Sequence, residues 1–136
     1  MRIRDRARGI ACGGRLFVSP LCPLLLACYR AVDAAREQRA GESAIGTTKR
    51  GIGPASEDRA ARRGLTVGDL QDADAARARL RELFAYHNFM LEHYYRAAPV
   101  DAAREAEQLL DMRADLLAMS ADVAQRLAEH LSLIHI

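Results

Sequence analysis

Ile45-Gly46-Thr47-Thr48-Lys49-Arg50-Gly51-Ile52-Gly53-Pro54 is the stretch on which the reading of this chain turns. It separates two helical patterns and shares the period of neither. Its glycines, Gly46, Gly51 and Gly53, allow positive φ and let another group approach the main chain closely. Thr47 and Thr48 offer hydroxyls, and Lys49 and Arg50 add positive charge. Exposed N–H groups, hydroxyls and cations together suit a phosphate or another anion. The residues alone leave two readings open, an anion cradle or a Gly-rich connection between helices. Gly41 and Gly46 have the separation of a phosphate loop, but Thr47-Thr48 stands where that motif requires Lys followed by Ser or Thr, so it is not one.

Upstream, Arg15 to Val18 reads as a short strand between Gly14 and Pro20. Ser19-Pro20 then reads as the start of a helix running to Ala40, with Leu21, Leu24, Leu25, Cys28 and Val32 in one apolar stripe. Arg30, Asp33, Arg36 and Glu37 fall off that stripe. Downstream, Pro54 to Arg63 reads as a short helix stopped by Gly64, with acids near its start and arginines near its end. Leu65 to Leu70 is a connection. Asp72 or Asp74 opens a helix whose inner face is Ala76, Leu80, Leu83, Phe84, His87, Leu91 and Tyr94, ending before Pro99. Asp101 caps a last helix with the stripe Ala106, Leu109, Leu110, Leu116, Leu117, Val123 and Leu127. His87 and His93 point away from each other on a helix, which argues against a shared metal; His87 reads as a satisfied buried or interface residue.

The chain has 136 residues, one domain at most, and a net charge of +2. That charge is too small to demand nucleic acid or an anionic membrane as a partner. Cys12, Cys22 and Cys28 show no zinc or disulfide spacing and read as buried free thiols of a reducing compartment. No apolar run has the ~20 residues of a membrane span. The ends stand apart: 1–14 is basic and aperiodic, and 131–136 reads as a non-native tail resembling a translated sequencing adapter.

The loop continues Ala55-Ser56-Glu57-Asp58-Arg59-Ala60-Ala61-Arg62-Arg63-Gly64-Leu65-Thr66-Val67-Gly68-Asp69-Leu70, with Tyr86-His87-Asn88-Phe89 further on. These residues closely resemble the adenylosuccinate synthetase signature, Gly-Thr-Thr-Gly-Arg-Gly-Ile-Gly-Pro-Ala-Tyr-Glu-Asp-Lys-x-Ala-Arg-Arg-Gly. Lys49 replaces the family's Gly, Ser56 its Tyr and Arg59 its Lys. If the first position needs positive φ, Lys49 costs on the order of 1 kcal/mol. Weaker likeness runs from about Gly14 to about Glu129, an internal segment of a longer enzyme.

The resemblance implies a mainly α segment, about four helices and one short strand, of an incomplete α/β P-loop-like nucleotide-binding domain. The central segment is 15–130. The implied reaction is GTP- and magnesium-dependent ligation of IMP and L-aspartate in purine biosynthesis, by a cytoplasmic homodimer. Thr48 matches the threonine that binds the IMP phosphate. Arg62 matches the arginine that reaches across a two-fold interface into the partner's IMP site. Thr47, Arg50, Gly51, Gly53 and Arg59 are supporting positions. The family's nucleotide loop and its catalytic Asp and His precede the matched region, and guanine recognition follows it. No catalytic residue and no ligand for GTP or magnesium is therefore assigned here, and the chain alone is expected to be inactive. The alternatives are a helical anion- or nucleic-acid-binding module and a helical dimerisation element; scarce aromatics and low net charge disfavour nucleic acid.

Overall fold

The computed structural model describes residues 14–132. It is built from helices: α1 (Ala27–Ala40), α2 (Ile52–Ala60), α3 (Ala73–Phe89), α4 (Ala102–Asp111), α5 (Arg113–Ala118) and α6 (Val123–Ser132). A 3₁₀ turn follows α1 (Gly41–Ser43), another precedes α3 (Gly68–Gln71), and a π-helical turn (Met90–Tyr95) extends α3. The mainly helical expectation holds. Cys12, nearly all of the irregular N-terminal end and residues 133–136 of the tail lie outside the described residues.

α3 is the spine. Asp72 caps it, accepting from the N–H groups of Asp74 and Ala75, both at 3.0 Å. Ala76, Leu80, Leu83 and Phe84 recur at helical spacing and are buried. They pack with Leu24, Tyr29, Leu65 and Leu70 from the preceding segments and with Ala106 and Leu109 of α4. Leu91 stays on that inner face, but Tyr94 does not; it is exposed. The π turn winds more residues into each turn than an α-helix and so rotates Tyr94 outward. Its ring instead lies under the guanidinium of Arg39, 4.1 Å away.

Further expectations need correcting. Arg15 to Val18 is not a strand: Val18 forms a single parallel bridge to Ser120, and no longer strand occurs among the described residues. The first helix starts at Ala27, not Pro20. Residues 20–24 run alongside 65–68 instead, through Leu24 N–H to Leu65 O (2.9 Å), Val67 N–H to Cys22 O (3.0 Å) and Gly68 N–H to Pro20 O (2.8 Å). Pro23 disfavours helical geometry at Cys22, so the extended pairing wins there. Leu24, Cys28 and Val32 are buried as the stripe requires, while Leu21, Leu25 and Cys22 are exposed. Burial pushes the Cys28 thiol up to about 12.

The last helix is three helices. Asp101 caps α4 as expected, accepting from Arg104 N–H at 3.1 Å. The chain breaks near Ser120 because its backbone there pairs with Val18: Val18 N–H donates to Met119 O and Ala121 N–H to Val18 O. Asp122 then caps α6 through Gln125 N–H. Leu127 is exposed.

α2 matters most for the site. It spans Ile52–Ala60 rather than Pro54–Arg63, so Gly53 is helical and Pro54 is its third residue. Gly51 precedes it with φ +80°. A Cβ there would stand 2.7 Å from Arg30 N and Tyr29 C and 2.8 Å from Tyr29 Cβ. Gly51 is therefore required twice, by its left-handed backbone and by the approach of the loop to α1. Gly51→Ala is expected to lower the unfolding free energy by at least about 2 kcal/mol in urea titration. A loss within about 0.5 kcal/mol, the range of an indifferent surface change, would contradict this packing.

Candidate anion site at the two ends of α2

The loop before α2 is held by the polar face of α1. Asp33 is buried, and its carboxylate accepts from Gly51 N–H (2.9 Å) and Thr47 Oγ1 (3.3 Å). Glu37 accepts from Gly46 N–H at 2.9 Å. Arg36 makes a two-pronged pair with Glu57 of α2, with its Nη2 2.6 Å from Oε2, and donates from Nε to the Tyr95 hydroxyl at 3.1 Å. Residues that fall off the apolar stripe of α1 thus fasten the loop and α2 to it.

These bonds separate the two threonines. The Thr47 hydroxyl is spent on Asp33, and its oxygen accepts from Lys49 N–H at 3.4 Å. Thr48 is exposed, and its hydroxyl has no hydrogen-bond partner among the described residues. Lys49 follows with φ +53°. The position does need the left-handed region, so Lys49 carries on the order of 1 kcal/mol of strain that a glycine would avoid. Lys49 and Arg50 are both exposed.

The other end of α2 closes in a Schellman turn. Arg62 N–H donates to Arg59 O (3.1 Å) and Arg63 N–H to Asp58 O (2.9 Å), with Arg62 itself at φ +59°. The left-handed residue is Arg62, not the expected Gly64. Side chains from α2 and α3 hold this turn. Asp58 is only 1% exposed and accepts from Arg63 (Nη2 at 2.9 Å, Nε at 3.1 Å). His87 Nε2 lies 2.7 Å from the other Asp58 oxygen. An ionised carboxylate only accepts, so His87 donates. Tyr29 presents its ring to His87 edge-on, with centroids 5.3 Å apart. Its hydroxyl is buried without a well-formed hydrogen bond among the described residues, and burial raises its pKa above the usual phenol range. Arg79 donates to Gly64 O at 3.0 Å and pairs with Asp69. Burial would raise the Asp69 pKa, but hydrogen bonds from Thr66 and Arg79 outweigh it and hold the carboxyl low.

Arg62, Arg63, Arg79, Glu82 and Leu83 line a shallow cleft of about 210 Å³ beside the turn. Arg63 and Arg79 are committed to Asp58 and Asp69, whereas Arg62 is exposed with no acidic partner among the described residues. Arg59 is likewise exposed and unpaired there. An α-helix of nine residues is about 13 Å long, so Thr48 and Arg62 stand at opposite ends of α2.

The adenylosuccinate synthetase family model matches residues 4–133. The chain belongs to the adenylosuccinate synthetase family. The Hahella chejuensis synthetase is 48% identical over 122 residues, covering 90% of this chain and 28% of that protein. The Photobacterium profundum synthetase is 53% identical over 121 residues, covering 89% of this chain and 28% of that protein. The chain thus spans little more than a quarter of the length of these relatives. A fully ligated adenylosuccinate synthetase from Plasmodium falciparum has the same local fold, with a TM-score of 0.75 at 24% identity over 87% of this chain and 27% of that one.

The sequence carries the family's motif residues, but not the holding roles of Asp33, of Asp58 within the motif, and of Arg79. Gly53 needs no glycine for steric reasons: an added Cβ would meet nothing within 4 Å. Ser56, at the family's tyrosine position, turns its hydroxyl back onto Ile52 O at 2.9 Å. His87 is buried and satisfied as expected, and no metal-binding group of three or more His, Cys, Asp or Glu occurs among the described residues.

The Arg36–Glu57 pair gives a pH test. The hydrogen bond from Arg36 depresses the Glu57 pKa below its ordinary 4.5. A depressed folded-state pKa stabilises above the unfolded value and loses that contribution as pH falls through the folded one. The pair is half exposed, so its worth is at most about 1 kcal/mol. Glu57→Gln should cost that much at pH 7, and its difference from the unsubstituted chain should close as pH falls below 4.5. A difference constant from neutral pH into strong acid would contradict the pairing.

Proposed function

We propose that this chain supplies the phosphate-gripping segment of an adenylosuccinate synthase, an enzyme joining IMP to L-aspartate at the expense of GTP. In the whole protein it would belong to an α/β P-loop-like nucleotide-binding fold. Thr48 binds the IMP phosphate with its hydroxyl and loop N–H groups. Gly51, the preceding Thr47 and the exposed Arg50 shape and charge that loop, with the N-terminal end of α2 behind it. Arg62 reaches an IMP phosphate in the partner subunit of a homodimer, and Arg59 adds positive charge nearby.

The observation carrying this reading is the division of labour around α2. Thr47, Arg63 and Arg79 are bonded within the fold, while Thr48 and Arg62, which the resemblance aligns with phosphate contacts, are exposed and unpaired among the described residues. Their separation along α2 keeps them from one phosphate within one chain, which favours a site shared between two copies.

The described residues offer no cluster that fits a divalent cation. By the family resemblance, magnesium and GTP are assigned to parts of the enzyme outside this segment, and on this reading the segment alone is inactive. No helix among the described residues is long and apolar enough to cross a membrane. A cytoplasmic setting follows from the proposed chemistry.

The test is a chimera in which residues 15–130 replace the matching segment of the Photobacterium profundum synthetase. The chimera should form adenylosuccinate and the isolated chain should not. Thr48→Ala and Arg62→Leu should each raise KM for IMP by about tenfold or more while leaving KM for GTP within about twofold. An inactive chimera, turnover by the isolated chain, or an unchanged KM for IMP in both variants would contradict the assignment.

A further inference from the structure

The buried group beneath Arg62 has no role in the chemistry proposed so far. Asp58 is almost completely enclosed, yet it is not an isolated acid. One oxygen takes two N–H groups of Arg63 and the other takes His87 Nε2. Its own backbone carbonyl accepts from both Arg63 N–H (2.9 Å) and Gly64 N–H (3.1 Å). Asp58 thus holds the turn through its side chain and its main chain together. Arg62 lies between these anchors, in a left-handed conformation that an arginine adopts at a cost of about 1–2 kcal/mol. Such strain persists only where the surroundings over-determine it.

A second clamp comes from the same helix. Arg79 is two turns before His87 on α3 and donates to Gly64 O, just beyond Arg62. The Arg63 guanidinium also lies over the Tyr86 ring, 4.3 Å from its centroid. α3 therefore grips the turn through Arg79 on one side and through His87 and Tyr86 on the other.

We infer that His87, acting through Asp58, and Arg79, acting through Gly64 O, are positioning residues that hold the Arg62 turn and so fix where its guanidinium projects. This rests on the reading of Arg62 as a phosphate contact. With the His87 donor gone, the Asp58 carboxylate keeps its bonds from Arg63 on one oxygen alone, and the turn can relax toward ordinary φ. Arg62 then spends part of its time aimed elsewhere, and only the ligand it meets should feel the change.

The measurement uses the full-length chimera described above. His87→Leu removes the donor. It should raise KM for IMP about tenfold, with kcat and KM for GTP within about twofold. His87→Gln keeps an N–H donor and should restore KM for IMP to within about threefold of the unsubstituted chimera. In an Arg62→Leu background His87→Leu should add nothing further, because both changes remove the same contact. Arg79→Met repeats the test from the more exposed side of the turn, and decides it if His87→Leu does not fold. Additive effects in the Arg62→Leu background, equal changes in both substrates' KM, or an unchanged KM for IMP in a folded His87→Leu or Arg79→Met chimera would overturn the positioning role. If Arg62→Leu itself leaves KM for IMP unchanged, the phosphate reading fails first and the inference with it.

Discussion

The carboxylate of Asp33 is the constraint from which the rest of this structure follows. It sits buried on α1 and accepts from Gly51 N–H and from the Thr47 hydroxyl, residues on either side of Thr48. A buried carboxylate that lost these donors would carry its desolvation cost without compensation. The loop must therefore come down onto α1, and it can do so only because Gly51 has no side chain to meet the backbone of Tyr29 and Arg30. Once Gly51 is fixed, the start of α2 is fixed. Thr48 is left outward because both of its flanks are tied inward.

α2 then behaves as a strut clamped at each end. Asp33 holds its beginning and Asp58 its end, and the Arg36–Glu57 pair braces it sideways against α1. The electrostatics sort the cations into two groups. Arg36, Arg63 and Arg79 each face an acid and are structural. Lys49, Arg50, Arg59 and Arg62 are exposed and lack such a partner among the described residues. Positive charge left uncompensated at both ends of one short helix suits an anionic ligand at each.

The helices and the family's motif were legible in the sequence because they depend on local pattern. The α3 face from Ala76 to His87 is visible in its spacing, and Asp72 and Asp101 announce the caps. The polar partners were not legible, because each is set by a contact distant in sequence. Asp33, Arg36 and Glu37 lie off the apolar stripe of α1 and carry no local sign of a partner, yet a Gly-rich loop with bare N–H groups needs acceptors, and the acids of α1 provide them. The start at Ala27 was partly signalled by Pro23, whereas the break near Ser120 depends on Val18, about a hundred residues earlier. The left-handed turn fell at Arg62 rather than at Gly64 because α3 side chains and Asp58 determine it, outweighing local glycine preference.

In the function proposed above, Thr48 and Arg62, held apart by α2, serve different copies of the same site. Mixing Thr48→Ala and Arg62→Leu chimeras tests it most directly, since each is impaired by itself. A shared site gives every mixed dimer one intact phosphate grip. Random subunit exchange should then restore about a quarter of the unsubstituted sites, read as turnover at low IMP. Turnover that stays at the average of the two parents after exchange would contradict the account.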